Sequence, residues 1–165
     1  MYHKVREGRI AYFDVDHTLI IWEMNPSEYV QTAKDNKYYS ELRELPPKRR
    51  LSKLLEDQPE SLTLISPKTG NPFRVRPIWT HVSQLIQQRL KGLNIVVWSA
   101  GGSDWAEAVV NGLFLDDFVD VIMTKPDFLY DDSKPKDLMG RHFFFAWDEI
   151  NAKMKGLKQA PQDEE

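Results

Sequence analysis

The chain has 165 residues and a formal net charge of −3. Its length suits one domain with a substantial hydrophobic core, and its charge excludes a broad positive field for nucleic acid or an anionic membrane. The absence of cysteine excludes disulfides, thiol catalysis and cysteine-ligated zinc. The amino terminus has no apolar signal core and no apolar run approaches the ~20 residues of a membrane span, so we expect a soluble, cytoplasmic protein without a membrane partner.

The first half of the chain predicts one buried strand, a helical segment and a hairpin. Residues 10–13 are apolar and precede an acid, which favours a strand. A helix is expected to start at Asn25-Pro26-Ser27-Glu28 and to continue in pieces to about residue 57, with a break at Pro46-Pro47. Short apolar runs at 62–65 and 73–75 flank turn residues and predict a β-hairpin. The basic run 48–50 is interpreted as a solvated face.

The second half alternates helices with strands. Apolar residues at helical spacing predict a helix over 78–90 that Gly92 ends. Residues 95–98 predict a buried strand, and a helix through 105–110 follows. Further strands are expected at 119–123 and 142–147. This alternation predicts an α/β fold, a Rossmann-like three-layer sandwich with a central parallel sheet, in a single domain over 1–157 with a flexible tail at 158–165.

Polar side chains follow three of these predicted strands. They are Asp14 and Asp16 after the first, Ser99-Ala100-Gly101 after the second, and Asp148-Glu149 after the last. Open α/β sheets place their sites at the carboxyl ends of the strands. Two nearby carboxylates can converge on Mg²⁺, and a lysine with backbone amides can hold a phosphate. Lys134 and Lys136 precede the last strand, so the chain carries the parts that phosphoryl transfer requires.

The motifs resemble those of the haloacid dehalogenase (HAD) superfamily. Asp14-x-Asp16-x-Thr18-Leu19 is similar to its first motif, residues 95–99 to its second, Lys136 to its third and Asp148-Glu149 to its fourth. The similarity spans residues 10–151. Three features resemble the small carboxy-terminal-domain phosphatases more narrowly, namely Arg76-Pro77 before a helix, Trp98-Ser99-Ala100, and Lys136-Asp137-Leu138 followed by Gly140-Arg141.

The resemblance implies a role for each matched position. Asp14 becomes phosphorylated, and Asp16 acts as the acid and then the base while its carbonyl binds Mg²⁺. Thr18 stabilises the loop, and Ser99, Ala100 and Gly101 bind phosphoryl oxygens. Lys136 neutralises charge on the nucleophile and phosphate. Asp148 is the remaining metal ligand, and Glu149 lies near the metal, contacting it through water.

Two departures from the family pattern leave alternatives open. The fourth motif usually reads Asp-Asp or Gly-Asp, whereas Trp147 precedes Asp148-Glu149 here. The spacing from Lys136 to Asp148 is shorter than in the narrower branch, and Lys134 is the alternative because other HAD branches place proline after this lysine. His17 occupies the variable position of the first motif and is interpreted as a neighbour that tunes substrate contact, whereas His81 and His142 are interpreted as structural.

The resemblance also bears on the substrate. Only residues 21–76 could cover the site, which suits a β-hairpin flap and a small helical insertion but no full cap domain. An open site favours a phosphorylated macromolecule, such as a phosphoprotein or a nucleic-acid end, and also admits nucleotides. The expected function is Mg²⁺-dependent phosphomonoester hydrolysis through an aspartyl-phosphate. The alternative is a catalytically inactive HAD-like binding module.

Overall fold

A computed structural model describes residues 8–23, 29–65, 69–70 and 72–132, together with strand residues 143–144 and 162–163. The chain divides into two compact units, Met1–Lys125 and Pro126–Glu165. The prediction of one domain over 1–157 stays a prediction. In chain order the elements are β1 (Ile10–Asp14), β2 (Ile20–Glu23), α1 (Tyr29–Glu44), α2 (Pro47–Asp57), β3 (Leu62–Ile65), β4 (Pro72–Pro77), α3 (Trp79–Leu90), β5 (Asn94–Ser99), α4 (Ser103–Gly112), β6 (Val121–Thr124), β7 (Phe143–Phe144) and β8 (Gln162–Asp163).

A three-stranded parallel sheet in the order β1-β5-β6 forms the centre of the first unit. β5 is the middle strand, and its residues Ile95, Val96 and Val97 are almost completely buried. Helix α3 precedes β5 and α4 follows it, so each parallel connection passes through a helix, as parallel pairing requires. The α/β class with a parallel sheet is therefore confirmed. The burial predicted for residues 10–13 is wrong, because β1 is at the edge of this sheet and leaves Ile10 and Tyr12 exposed.

A second sheet is antiparallel and has the order β2-β4-β3. The two strands expected around the turn residues are present, and β3 pairs with β4 from Leu62↔Val75 to Ile65↔Pro72. Along β4, Phe73, Val75 and Pro77 are buried while the residues between them are partly exposed, which is the alternation of a half-buried strand. Strand β2 was not predicted from the sequence. It pairs with the other edge of β4 and leads directly out of the loop that carries Asp16.

The predicted helix break at the two prolines is confirmed. Helix α1 ends at Glu44 and α2 begins at Pro47, where the missing N–H of proline costs nothing because first-turn amides lack intrahelical partners. The Arg50 guanidinium donates hydrogen bonds to the carbonyl oxygens of Leu45 (2.9 Å) and Arg43 (2.7 Å). Within the basic run, Lys48 and Arg49 are exposed as expected, while Arg50 satisfies carbonyl groups at the end of α1.

The strand predicted over 142–147 differs from expectation. Within the described residues, β7 pairs antiparallel with β8, whereas a place in the parallel sheet was predicted. Strand β8 lies in the segment expected to be a flexible tail. A ladder of two residues is held by backbone hydrogen bonds, which need no apolar pattern, so the polar residues of β8 carried no sequence signal. Among the described helices, none is long and apolar enough to cross a bilayer.

Candidate active site

The carboxyl ends of the three parallel strands bring polar residues together at one edge of the sheet. Asp14 ends β1, Ser99 ends β5, and Lys125 directly follows β6. Asp14 pairs in register with Trp98, and Ser99 pairs with Thr124. The Lys125 amide extends this pairing by donating to the Ser99 carbonyl at 3.0 Å. The backbone ladder therefore places Lys125 beside the first two strand ends.

Lys125 is paired with Asp14. Its Nζ lies 3.0 Å from Asp14 Oδ1, and each of the two side chains is about one-third exposed, at 35% and 33%. Oδ1 also accepts a hydrogen bond from the Val15 amide at 2.9 Å. The ammonium lies 5.9 Å from the centre of the Trp98 ring, within cation–π range. A carboxylate that is held by an ammonium, but still open to solvent, is suited to meeting an external reactant.

A tight loop holds the chain between Asp14 and β2. The Val15 carbonyl accepts hydrogen bonds from the amides of Thr18, Leu19 and Ile20, while Val15 and Leu19 are fully buried. His17 has a φ of 61°, the left-handed conformation that turns the chain back. The Thr18 carbonyl lies 2.6 Å from Nδ1 of buried His81 on α3. Because a carbonyl only accepts, Nδ1 carries the proton, and His81 anchors the loop.

Asp16 is held by contacts to both of its carboxyl oxygens. Trp105 Nε1 donates to Oδ1 at 3.1 Å, and the Ser99 hydroxyl lies 3.5 Å from Oδ2. Burial raises the pKa of Asp16 above its ordinary value, the Trp105 hydrogen bond lowers it, and the nearby Asp14 carboxylate raises it again. The net direction is upward, which favours the protonated form that a general acid needs.

The turn after β5 is built around Ser99. The Gly101 amide, predicted to bind phosphate, donates to Ser99 Oγ at 3.0 Å, and the Gly102 amide donates to the Ser99 carbonyl at 3.2 Å. Ala100 is exposed. Helix α4 begins at Ser103, so its positive end follows this turn directly and favours a negatively charged group there.

The structure brings together Asp14, Asp16, Thr18 and the Ser99 turn. The predicted lysines and the predicted later acids, namely Lys134, Lys136, Asp148 and Glu149, lie outside the described residues, so their roles stay predictions. Sequence reasoning missed Lys125 and Trp105. Lys125 could have been found by the rule that selected Asp14 and Ser99, since it is a polar residue two positions after the strand predicted over 119–123 and directly follows the observed β6. Trp105 carried no comparable signal, because its partner Asp16 is distant in sequence.

The donors that the described site offers fit a hard cation. Asp14 and Asp16 supply carboxylate and carbonyl oxygens, and Mg²⁺ is usually bound by one or two carboxylates with water and substrate oxygens completing its shell. Across the parts of the chain that are described, no three acidic or histidine side chains form a group that could hold a metal ion.

Comparison of the chain with protein-family models, curated proteins and solved structures gives no match in any of the three. The described fold and site define an α/β domain whose parallel sheet carries an aspartate–lysine pair, a second, partly buried aspartate and a buried serine at its carboxyl edge.

Proposed function

We propose that this protein is a Mg²⁺-dependent phosphomonoester hydrolase of the HAD type, with Asp14 as the nucleophile. The observation that carries the proposal is the convergence of Asp14, Asp16, Ser99 and Lys125 at one edge of the parallel sheet. These residues supply a nucleophile, an acid, a hydroxyl donor and a positive charge, which are the parts that phosphoryl transfer needs.

In the first step, the Asp14 carboxylate attacks phosphorus. The Lys125 ammonium and the Val15 amide both engage Oδ1, so we assign the attack to Oδ2. The bond from phosphorus to the leaving-group oxygen breaks, and Asp16 gives that oxygen its proton. The products are an aspartyl-phosphate on Asp14, a free alcohol and an ionised Asp16.

In the second step, ionised Asp16 takes a proton from water, and the resulting hydroxide oxygen attacks phosphorus. The bond between phosphorus and the Asp14 oxygen breaks, which releases inorganic phosphate, restores the Asp14 carboxylate and leaves Asp16 protonated for the next cycle. Lys125 neutralises charge on Asp14 and on the phosphoryl oxygens in both steps. The same group therefore stabilises the transition state from a fixed position, which costs little reorganisation.

The Ser99 turn would hold the remaining phosphoryl oxygens. Its hydroxyl lies between the Gly101 amide and Asp16, and the start of α4 follows it. The Asp14 carboxylate and the Asp16 carbonyl would hold Mg²⁺, with Asp148 as the predicted third ligand and Glu149 acting through water. Bound Mg²⁺ would supply charge neutralisation on the phosphate oxygens.

The elements around the site indicate what size of substrate it can accept. We propose a Rossmann-like sandwich in which the β3–β4 hairpin is a flap and α1 with α2 is a small helical insertion, without a full cap domain. The one-third exposure of Asp14 and Lys125 supports an open site. Such a site suits a phosphate on a protein, a nucleotide or a nucleic-acid end, with salt-sensitive affinity expected for the last.

The test is Mg²⁺-dependent hydrolysis of an aryl phosphate by the wild type and by Asp14→Asn. The variant keeps the side-chain size but removes the nucleophilic charge, so activity should disappear in the variant and under chelation. Asp117→Asn, an exposed acid outside the site, is the matched control and should keep full activity. A folded wild type that turns over no aryl phosphate, nucleotide, phosphopeptide or phosphorylated nucleic-acid end would overturn the proposal in favour of a binding module.

A further inference from the structure

We propose that Trp105 is a positioning residue that orients the Asp16 carboxyl group, and that Phe73 of the β3–β4 hairpin holds the Trp105 indole in place. This inference rests on the proposed function, because it concerns how the acid of that reaction is aimed. Trp105 itself is not assigned a contact with the phosphate. It acts through Asp16.

The hydrogen bond from Trp105 to Asp16 determines which carboxyl oxygen of Asp16 faces the indole and which faces Ser99. An indole N–H can only donate, so Asp16 Oδ1, at 3.1 Å from Trp105 Nε1, serves as an acceptor. When Asp16 is protonated its proton therefore goes to Oδ2, because the Ser99 hydroxyl, which donates to Oδ2 of the ionised carboxylate, can turn and accept, whereas the indole N–H cannot. That oxygen lies 3.5 Å from Ser99 Oγ, on the side of the turn assigned to the phosphate. Trp105 thus turns the proton-bearing oxygen toward the reacting group.

The close approach of the indole depends on a missing side chain. A Cβ at Gly101 would lie 3.3 Å from Trp105 Cδ1 and 3.3 Å from Ser99 Oγ, both tighter than ordinary van der Waals contact. Glycine at this position therefore admits the indole and the serine hydroxyl side by side. The turn therefore leaves room for both groups that contact Asp16, the Trp105 indole and the Ser99 hydroxyl.

The β3–β4 hairpin also supports the Trp105 indole, through Phe73. The Phe73 and Trp105 ring centres are 4.6 Å apart with the planes tilted by 44°, a favourable aromatic arrangement. Phe73 is only 9% exposed and pairs across the hairpin with Leu64. A shift of the hairpin would move the indole and, through its N–H, the acid. The position of the hairpin can therefore affect the orientation of the Asp16 carboxyl group.

The first experiment compares Trp105→Phe with the wild type on two classes of substrate. Phenylalanine keeps an aromatic ring against Phe73 but removes the donor. An alkyl phosphate needs its leaving oxygen protonated, whereas 4-nitrophenyl phosphate has a good leaving group and needs this far less. We expect kcat/KM, which reports the first phosphoryl transfer, to fall about 10- to 100-fold for the alkyl ester and by less than about threefold for the aryl ester.

Trp79→Phe is the matched control. The Trp79 indole also donates a hydrogen bond, to the Pro59 carbonyl at 3.1 Å, but at a position outside the site. It should leave the ratio of the two kcat/KM values unchanged. Phe73→Leu should change that ratio in the same direction as Trp105→Phe. An equal loss on both substrates in Trp105→Phe would overturn the positioning role, whereas an inactive wild type would instead defeat the proposed function.

A second measurement needs no activity. In protein labelled with ¹⁵N-tryptophan, the indole resonance missing from Trp105→Phe identifies Trp105. In Asp16→Ala this resonance should shift because its acceptor is gone, while the Trp79 resonance should not. If the Trp105 resonance keeps its position in Asp16→Ala, the hydrogen bond on which the proposal rests is absent and the proposal fails.

Discussion

The Nζ atom of Lys125 lies 3.0 Å from Oδ1 of Asp14, so the side chain that follows β6 reaches the end of β1 across the end of the central strand β5. Because both side chains are about one-third exposed, solvent screens the pair, and its contribution to stability is at most about 1 kcal/mol. The pair therefore contributes little to holding the strands together, and we expect Lys125 to act mainly on the proposed reaction at the Asp14 carboxylate.

Replacing Lys125 tests which lysine stabilises Asp14, the proposed nucleophile. Lys125→Ala should lower kcat/KM by about 10²- to 10³-fold, the loss typical of removing one preorganised stabilising group. The melting temperature should change little. Lys136→Ala and Lys134→Ala are the comparison variants, because the sequence predicts that one of these lysines neutralises the charge; near-normal activity in both would give that role to Lys125. If Lys136→Ala abolished activity and Lys125→Ala did not, the prediction for Lys125 would be wrong and Lys136 would have this role.

The third metal ligand can be identified by titrating activity with Mg²⁺. Asp148→Asn should raise the half-saturating Mg²⁺ concentration by at least about tenfold, since a lost carboxylate weakens a hard-cation site. Asp132→Asn is the matched comparison, because Asp131 and Asp132 form another acidic pair nearer in sequence to Lys125. A raised requirement in Asp132→Asn alone would transfer the ligand role to the earlier pair.

The left-handed backbone of His17 predicts an order of stability for two variants. With φ at 61°, an alanine at this position pays the steric cost of a left-handed conformation, whereas glycine does not. His17→Gly should therefore be more stable than His17→Ala by about 1 kcal/mol in denaturant unfolding. Both variants lack the imidazole, so the comparison isolates the backbone. Equal stabilities would show that the loop relaxes out of this conformation.

Gly112 lies where α4 meets the hairpin. A Cβ added there would clash with Leu64 Cδ2 and lie 3.1 Å from Leu64 Cδ1. Gly112→Ala should therefore destabilise the fold by about 1–3 kcal/mol through overpacking, although alanine is the better helix former. Combining it with Leu64→Ala should cost less than the sum of the two single changes. Strict additivity would mean that the two residues do not touch.

The link between α1 and α2 predicts a pH-dependent effect on stability. The Tyr38 hydroxyl donates to Asp57 Oδ2 at 2.7 Å, and this bond, followed by that of Lys53, lowers the pKa of Asp57 below its ordinary value of 3.8. The resulting stability is present above the ordinary pKa and is lost as the pH falls through the lowered one. Tyr38→Phe should therefore reduce the melting temperature most near neutral pH. A difference that persisted undiminished in strong acid would contradict this linkage.

Much of the fold follows from local patterns. The apolar run at 95–98 and the helical spacing over 78–90 predicted β5 and α3 because each pattern is set by neighbours within a few residues. The helix break at Pro46-Pro47 followed from the chemistry of proline alone. Strand β2 escaped prediction because its residues are joined to β4 by pairing between distant segments.

The sequence by itself determined that two acids and a serine lie at or just after the carboxyl ends of strands, since strand ends and turn residues are encoded locally. Only the tertiary structure decided which charges and rings meet them. Lys125 reaches Asp14 through the register of two parallel strand pairs, and Trp105 reaches Asp16 through the placement of α4 beside the loop after β1. Strand register and helix placement depend on packing between segments that are distant in sequence. They therefore cannot be predicted from the spacing of residues along the chain.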